Sequence, residues 1–124
     1  MTGRQLLLAS VFFGLFSGVR STVDRRGPPR PPRDKDCNIE FMDSKGTERP
    51  HDVLGTIEVY VRRNKITMGR EATYEEAIPE FRKQACKLGA DAVVVLRQTV
   101  SHSGEFRLLY VKGEAIGFTS KSSS

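Results

Sequence analysis

The sequence predicts an α+β fold, a small antiparallel sheet of four to five strands with one helix packed on a face, in the order β-β-(β)-α-β-β. Apolar and polar residues alternate over 37–42 and again over 57–62, the period of a strand with one buried face. A helical apolar period follows from residue 74. Residues 92–96 are uniformly apolar, which is typical of a strand covered on both faces.

The ends of the chain are expected to lie outside this domain. Residues 1–21 have the pattern of a signal peptide, because a positive charge at Arg4 precedes a long uncharged apolar stretch. Residues 22–36 are rich in proline and arginine and predict a stiff linker. The single α+β domain is expected at 37–118, followed by a solvated tail at 119–124.

The leader predicts export from the cytoplasm. A cleaved signal ending at Ser21 is favoured, and an uncleaved membrane anchor is the alternative. In either case the basic N-terminal segment is expected to come close to a membrane surface.

The charge distribution argues against a nucleic acid partner. The chain has a formal net charge of +5, but residues 37–118 hold 12 basic and 12 acidic residues. Proteins that bind nucleic acid usually concentrate positive charge on the folded domain. The excess here lies mainly in the leader and the linker, so the positive net charge is weak evidence for nucleic acid binding.

The strands after the first two are predicted from turn signals. A short strand is expected at 66–68, and residues 101–104 (SHSG) predict the turn of a hairpin that returns over 105–111. Gly113 is interpreted as the position of a bulge before the last strand, 114–118.

One helix is predicted between these strands. Thr73 and Glu76 have the spacing of a capping box, which would begin the helix at Tyr74. Pro79 leaves a second interpretation open, in which the main helix begins at the proline itself. Gly89 is expected to end the helix in a left-handed conformation.

The two cysteines are the best-defined candidate pair. On a helical wheel Cys86 lies about 140° from Phe81, away from the predicted core face. In an exported protein the natural reason for such a cysteine is a disulfide, and Cys37 is its only partner. Two free thiols are the alternative.

Catalytic and metal sites are not predicted. Cys37, His51, Cys86 and His102 are suitable zinc ligands, but no two of them have a ligand spacing such as Cys-x-x-Cys. His102 lies between two serines, yet neighbouring turn residues do not face each other as a catalytic triad must. We therefore expect a non-enzyme without a cofactor.

Three segments of the chain resemble small bacterial envelope domains. They are residues 51–59 (HDVLGTIEV), 85–94 (ACKLGADAVV) and 113–118 (GEAIGF). The sequence resembles the RcsF-like group of exported envelope-stress sensors, and its Gly-Ala-Asp-Ala-Val segment is similar to that of the YbjQ-type heavy-metal-binding proteins.

The resemblance implies an α+β domain in the periplasm or outer envelope of a bacterium, with disulfide bracing and a protein partner rather than a substrate. RcsF-like proteins carry a lipidated cysteine directly after the signal and two disulfides. This chain has no cysteine at that place and can form only one bond.

The sequence therefore predicts an exported, non-enzymatic envelope domain that acts through protein–protein interaction, with envelope-stress sensing as its implied role. The alternative is a small metal- or ligand-binding protein of the YbjQ type. Exposed loops commonly carry contacts, and the candidate partner-contact residues are Arg62, Arg63, Lys65 and His102.

Overall fold

The computed structural model of the protein describes residues 18–64 and 73–119. Within these residues the elements are β1 (Gly18–Arg25), β2 (Glu40–Met42), β3 (His51–Asn64), α1 (Tyr74–Lys87), β4 (Ala92–Ser103) and β5 (Phe106–Phe118). The strands form one sheet in the order β1-β3-β5-β4-β2, and α1 packs on one of its faces. The predicted α+β class is confirmed.

The expectation of a purely antiparallel sheet is wrong. β1, β3, β5 and β4 pair antiparallel, but β2 pairs parallel to β4 at the edge of the sheet. The reason lies just before the two strands, where Cys37 is bonded to Cys86 at the end of the helix. β2 and β4 thus leave from the same end of the domain and run in the same direction.

The first strand of the sheet was not predicted from the sequence. β1 begins at Gly18 and crosses from the expected signal segment into the expected linker, pairing with β3 from Gly18↔Arg62 to Arg25↔Gly55. The period-two signal is present in the sequence, since Val19 and Val23 alternate with polar residues. The apolar leader before it and the proline-rich segment after it instead led to the prediction of a signal peptide and a linker.

The helix begins at Tyr74, as the capping box predicts, and Pro79 lies inside it. The backbone N–H and the hydroxyl of Thr73 both donate to the Glu76 carboxylate, at 3.3 and 3.2 Å. The alternative helix start at Pro79 is therefore wrong. The predicted glycine stop is confirmed, because Gly89 has a φ of 77°.

The main core lies between α1 and the sheet. Ile57, Val59 and Val61 are fully buried on the helix side of β3, as their spacing predicts. Phe81 is also fully buried and packs edge-on against Phe41, with ring centroids 6.4 Å apart. Burying a side chain of this size contributes about 2 kcal/mol, so Phe81 is a central anchor of the helix on the sheet.

Gly113 has no side chain, and this allows the Phe81 ring of α1 to pack closely against β5. A Cβ at Gly113 would lie 2.8 Å from the Phe81 ring and 2.9 Å from a Val93 methyl. The register shift falls instead on β4, between Val95 and Arg97. The predicted bulge at Gly113 is therefore wrong, since this glycine pairs regularly with both neighbouring strands.

The opposite face of the sheet, here called the open face, is only partly covered. A second apolar cluster, Ala92, Val94 and Ile116, lies on it near β2. Gly46 of the β2–β3 loop faces Val94, with 3.7 Å from an ideal Cβ to each of its methyls. The loop covers this end of the open face, while the end near the β4–β5 hairpin carries no described element.

Several expectations fall outside the described residues. They are the strand at 66–68, the leader before Gly18 and the tail after Thr119. Within the described ranges, no helix has the length and apolar content needed to cross a bilayer.

Candidate interaction surface

The predicted pairing of the two cysteines is confirmed. Cys37 and Cys86 form a disulfide with Cα atoms 5.9 Å apart. The expectation that Cys86 lies off the core is wrong, because this residue is fully buried. Its helix face is covered by the segment that leads to Cys37, so the bond lies inside the fold rather than at its surface.

That covering segment is residues 26–37, here called the strap. Its backbone N–H at Arg33 donates to the Cys86 carbonyl at 2.7 Å, and the Arg33 guanidinium donates to the Ala90 carbonyl at 2.6 Å. Arg30 donates to the Gly89 carbonyl at 3.2 Å. The strap thus donates to one carbonyl of the last helical turn and to two carbonyls of the connection between α1 and β4.

One carboxylate fixes both strap arginines. Asp91 accepts from Arg30 at 3.3 Å through Oδ2 and from Arg33 at 3.3 Å through Oδ1. It also accepts the backbone N–H of Phe118 at 2.8 Å. Asp91 thus joins the strap, the start of β4 and the end of β5, a role that sequence reasoning missed.

Two of the predicted contact residues, Arg62 and Arg63, lie on opposite faces of the sheet. Arg63 lies on the helix side of β3 and forms an ion pair with Glu76 in which both side chains are only 15% exposed. This pair holds the N-terminus of α1 to the sheet, so Arg63 has a packing role. Arg62 points to the open face, with its guanidinium 4.1 Å from the centre of the Phe106 ring.

The other two predicted residues are separated from this pair. His102 is exposed and belongs to β4, where it lies opposite Arg107. The turn predicted at 101–104 is therefore shorter than expected: it comprises Gly104 and Glu105, and Gly104 has a φ of 60°. Lys65 lies outside the described residues.

A row of aromatic residues lies on the open face near the hairpin. Tyr60 and Tyr110 are cross-strand neighbours with ring centroids 5.2 Å apart. Leu108, opposite Arg62, and Phe106 continue the same face of β5. All these side chains are half-buried, although no described element covers them. The face therefore combines apolar rings with arginine, a composition enriched in protein interfaces.

The tyrosine row is held in place by a carboxylate. The Tyr110 hydroxyl donates to Glu58 at 2.5 Å, and Thr22 on β1 donates to the same carboxylate at 3.1 Å. The hydrogen bond raises the pKa of Tyr110 to about 12 and lowers the pKa of Glu58. Three strands thus share one network that orients the rings.

The edge of the sheet at β4 is a second candidate interaction surface. β2 pairs only with Ala92 to Val94, so from Leu96 onward β4 has β5 as its single partner among the described strands. Leu96 and Val100 are 40% and 45% exposed, two of the three most exposed large apolar residues described. An unpaired strand edge with apolar side chains is a template for strand addition.

A groove lies where β2 ends beside this edge. It has a volume of about 410 Å³ and is lined by residues of β2, the following loop, α1 and β4, namely Phe41, Met42, Asp43, Ser44, Tyr74, Val95 and Gln98. Its walls are mostly apolar, and Asp43 contributes the one carboxylate. The groove shares Val95 and Gln98 with β4, so it lies directly beside this edge.

The described residues contain no group of three or more His, Cys, Asp or Glu side chains arranged to hold a metal ion. His51 donates from Nδ1–H to the Arg49 carbonyl at 2.7 Å, and the two cysteines are bonded to each other. The four candidate zinc ligands considered from the sequence are therefore not assembled into one centre.

Comparison with known proteins shows little similarity. No family model and no curated protein matches the chain. One solved structure, a Francisella virulence factor FvfA, is similar with a TM-score of 0.49 and 12% identity, over 79% of this chain and 97% of that one.

Proposed function

We propose that this chain is an exported, non-enzymatic domain of the bacterial cell envelope that acts by binding another protein, with envelope-stress sensing as the process it serves. The observation that carries the proposal is the aromatic end of the open face, which no described element covers. Tyr60, Tyr110 and Phe106 remain half-exposed beside Arg62. Exposed apolar groups in a contiguous patch are typical of interaction sites.

The disulfide supports the assignment to an oxidising compartment. Such bonds persist in secreted and periplasmic proteins and are rare in the cytosol. The bond between Cys37 and Cys86 also occupies both thiols, which are the softest metal ligands in the chain. This weighs against the YbjQ-type alternative, whose metal would need other ligands.

The experiment has two parts. The first is the intact mass of the protein from its native compartment, with and without reductant. The proposal expects a mass lower than the all-thiol value by the two hydrogens lost on oxidation, together with loss of leader residues. Two thiols that react with alkylating agents and a full-length mass would contradict export, and a stoichiometric metal would favour the alternative.

The same mass defines the N-terminus of the folded protein. Cleavage after Ser21 would remove half of the eight residues of β1, including Val19, which packs against the core. A cut at or before Gly18 keeps the strand whole. We therefore expect the mature chain to begin no later than Gly18 if the signal is cleaved.

The second part maps the contact surface. A photo-crosslinking residue at Leu108, in the centre of the open face, is compared with one at Lys83, which is exposed on α1. The proposal expects one discrete crosslinked protein at Leu108 and none at Lys83, and loss of that product in Arg62→Ala. Equal products at both positions would contradict a specific contact.

A further inference from the structure

The two edges of the sheet differ in how they are protected. β1 carries Arg20, Asp24 and Arg25 among its eight residues, and charges of this kind discourage strand addition. Along Leu96 to Ser103, β4 carries Arg97 as its one formal charge and exposes Leu96 and Val100. Among the described strands, β4 therefore has the less protected of the two edges.

β2 already occupies the first part of this edge, where it pairs with the beginning of β4. β2 pairs with β4 through Met42↔Val94, and then the chain turns away at Asp43. A strand placed along Leu96 to Ser103 would continue the line of β2. Its alternate side chains would lie over the groove between Phe41 and Gln98.

The charges at the edge indicate the chemistry of the occupant. Arg97 is exposed and lies directly opposite Lys112, a like-charge pair. Arg97 forms no ion pair among the described residues. β4 itself contains no acidic residue, so a second copy pairing through the same strand would offer Arg97 no carboxylate. An acidic peptide would.

We propose that the β4 edge binds an extended peptide of a partner protein by strand addition, with apolar side chains over the groove and an acidic side chain beside Arg97. Main-chain hydrogen bonds supply affinity in this mode, and pockets for alternate side chains supply specificity. The inference rests on the proposed function, because it names the kind of partner segment and gives it a second contact, at the β4 edge beside the open face.

The test uses the intact oxidised chain and two synthetic peptides. One alternates valine with glutamate between serine ends, and the matched control replaces glutamate with lysine. Backbone amide shifts are followed by NMR during titration to millimolar peptide. The proposal expects shifts confined to Leu96–Ser103 and the groove, with the glutamate peptide about two- to fivefold tighter. No shifts, or shifts on β1, overturn it.

Three variants test the charge preference and the choice of sheet edge. Arg97→Glu is expected to reverse the preference, so that the lysine peptide binds more tightly. Val100→Lys is expected to weaken binding at least about fivefold, whereas Val23→Lys, at a comparable exposure of 38% on the β1 edge, leaves binding unchanged. Equal losses in both lysine variants, or an unchanged preference in Arg97→Glu, overturn the proposal.

Self-association is a separate outcome. Concentration-dependent shifts of the β4 amides without peptide, with a dimer by sedimentation, would assign the edge to a second copy and overturn the peptide assignment. Because these measurements need no native partner or compartment, a failure here is distinguishable from a failure of the export and crosslinking experiments.

Discussion

Reduction of the Cys37–Cys86 bond is expected to remove a large part of the stability of this domain. The bond joins residues 49 apart in sequence. For a loop of this length the chain-entropy relation gives about 4 kcal/mol at 25 °C. Small domains have only about 5–15 kcal/mol in total. Since 1 kcal/mol corresponds to about 4–8 °C of melting temperature at this size, we expect a fall of roughly 20 °C.

The measurement is thermal and urea unfolding of the oxidised chain with and without reductant. The Cys37→Ala/Cys86→Ala double variant is the control, and its unfolding must not respond to reductant. It also carries the cost of a cavity at the buried Cys86, so reduced wild type gives the cleaner free energy. A reductant-dependent loss below about 1 kcal/mol would refute the loop-closure reasoning.

Hydrogen exchange locates the effect. The Arg33 amide donates to the Cys86 carbonyl, and the strap is bonded at Cys37 only four residues later. We expect this amide to lose protection on reduction before the amides of β3 and β5 do. Continued protection of Arg33 would mean that the contacts to Asp91 hold the strap without the disulfide.

Three further changes test other parts of the fold. Gly113→Ala is expected to lower the free energy of unfolding by about 1–3 kcal/mol, because its Cβ would lie 2.8 Å from Phe81. Asp91→Ala is expected to cost about 2 kcal/mol, because the Phe118 N–H and two guanidinium groups lose their acceptor. Tyr110 is expected to titrate near 12, above its ordinary value of 10.0, because its hydroxyl donates to Glu58. Its contribution to stability is then complete below about pH 10 and is lost as the pH rises through 12.

Each of these has its own readout and control. Urea unfolding measures the first two, with Asp36→Ala, which removes an exposed carboxylate of the strap, as the control for Asp91→Ala. Wild-type stability in Gly113→Ala would show that the Phe81 ring moves aside at little cost. Ultraviolet titration follows the tyrosines, and Tyr110→Phe should remove the high-pH transition while Tyr60→Phe retains it. A transition near 10 for Tyr110 would contradict the hydrogen bond to Glu58.

Periodicity within short segments was sufficient for the core and the helix. The alternation of Ile57, Val59 and Val61 predicted their common burial, and the capping box predicted the start of α1 at Tyr74. The pairing of the cysteines was accessible as well, since only two are present. These features depend on residues a few positions apart, or on composition, which a single sequence displays directly.

The candidate surface was only partly accessible from sequence. Arg62 and Arg63 are adjacent, and both were predicted as contacts. In a strand they point to opposite faces, so Arg62 reaches the open face and Arg63 pairs with Glu76 beneath the helix. Which face α1 covers is a property of packing, and the charge pattern does not contain it.

The sequence by itself determined the α+β class, the presence of one helix and its glycine stop, the apolar face of β3 and the identity of the disulfide partners. Only the tertiary structure decided that β2 runs parallel to β4, that residues 26–37 form a strap on Asp91, and that no described strand pairs with the β4 edge beyond Val94. The physical reason is the range of the interactions. Turns, caps and amphipathic faces arise from neighbours along the chain, whereas strand order and the contacts of Arg30 and Arg33 join residues about 60 positions apart.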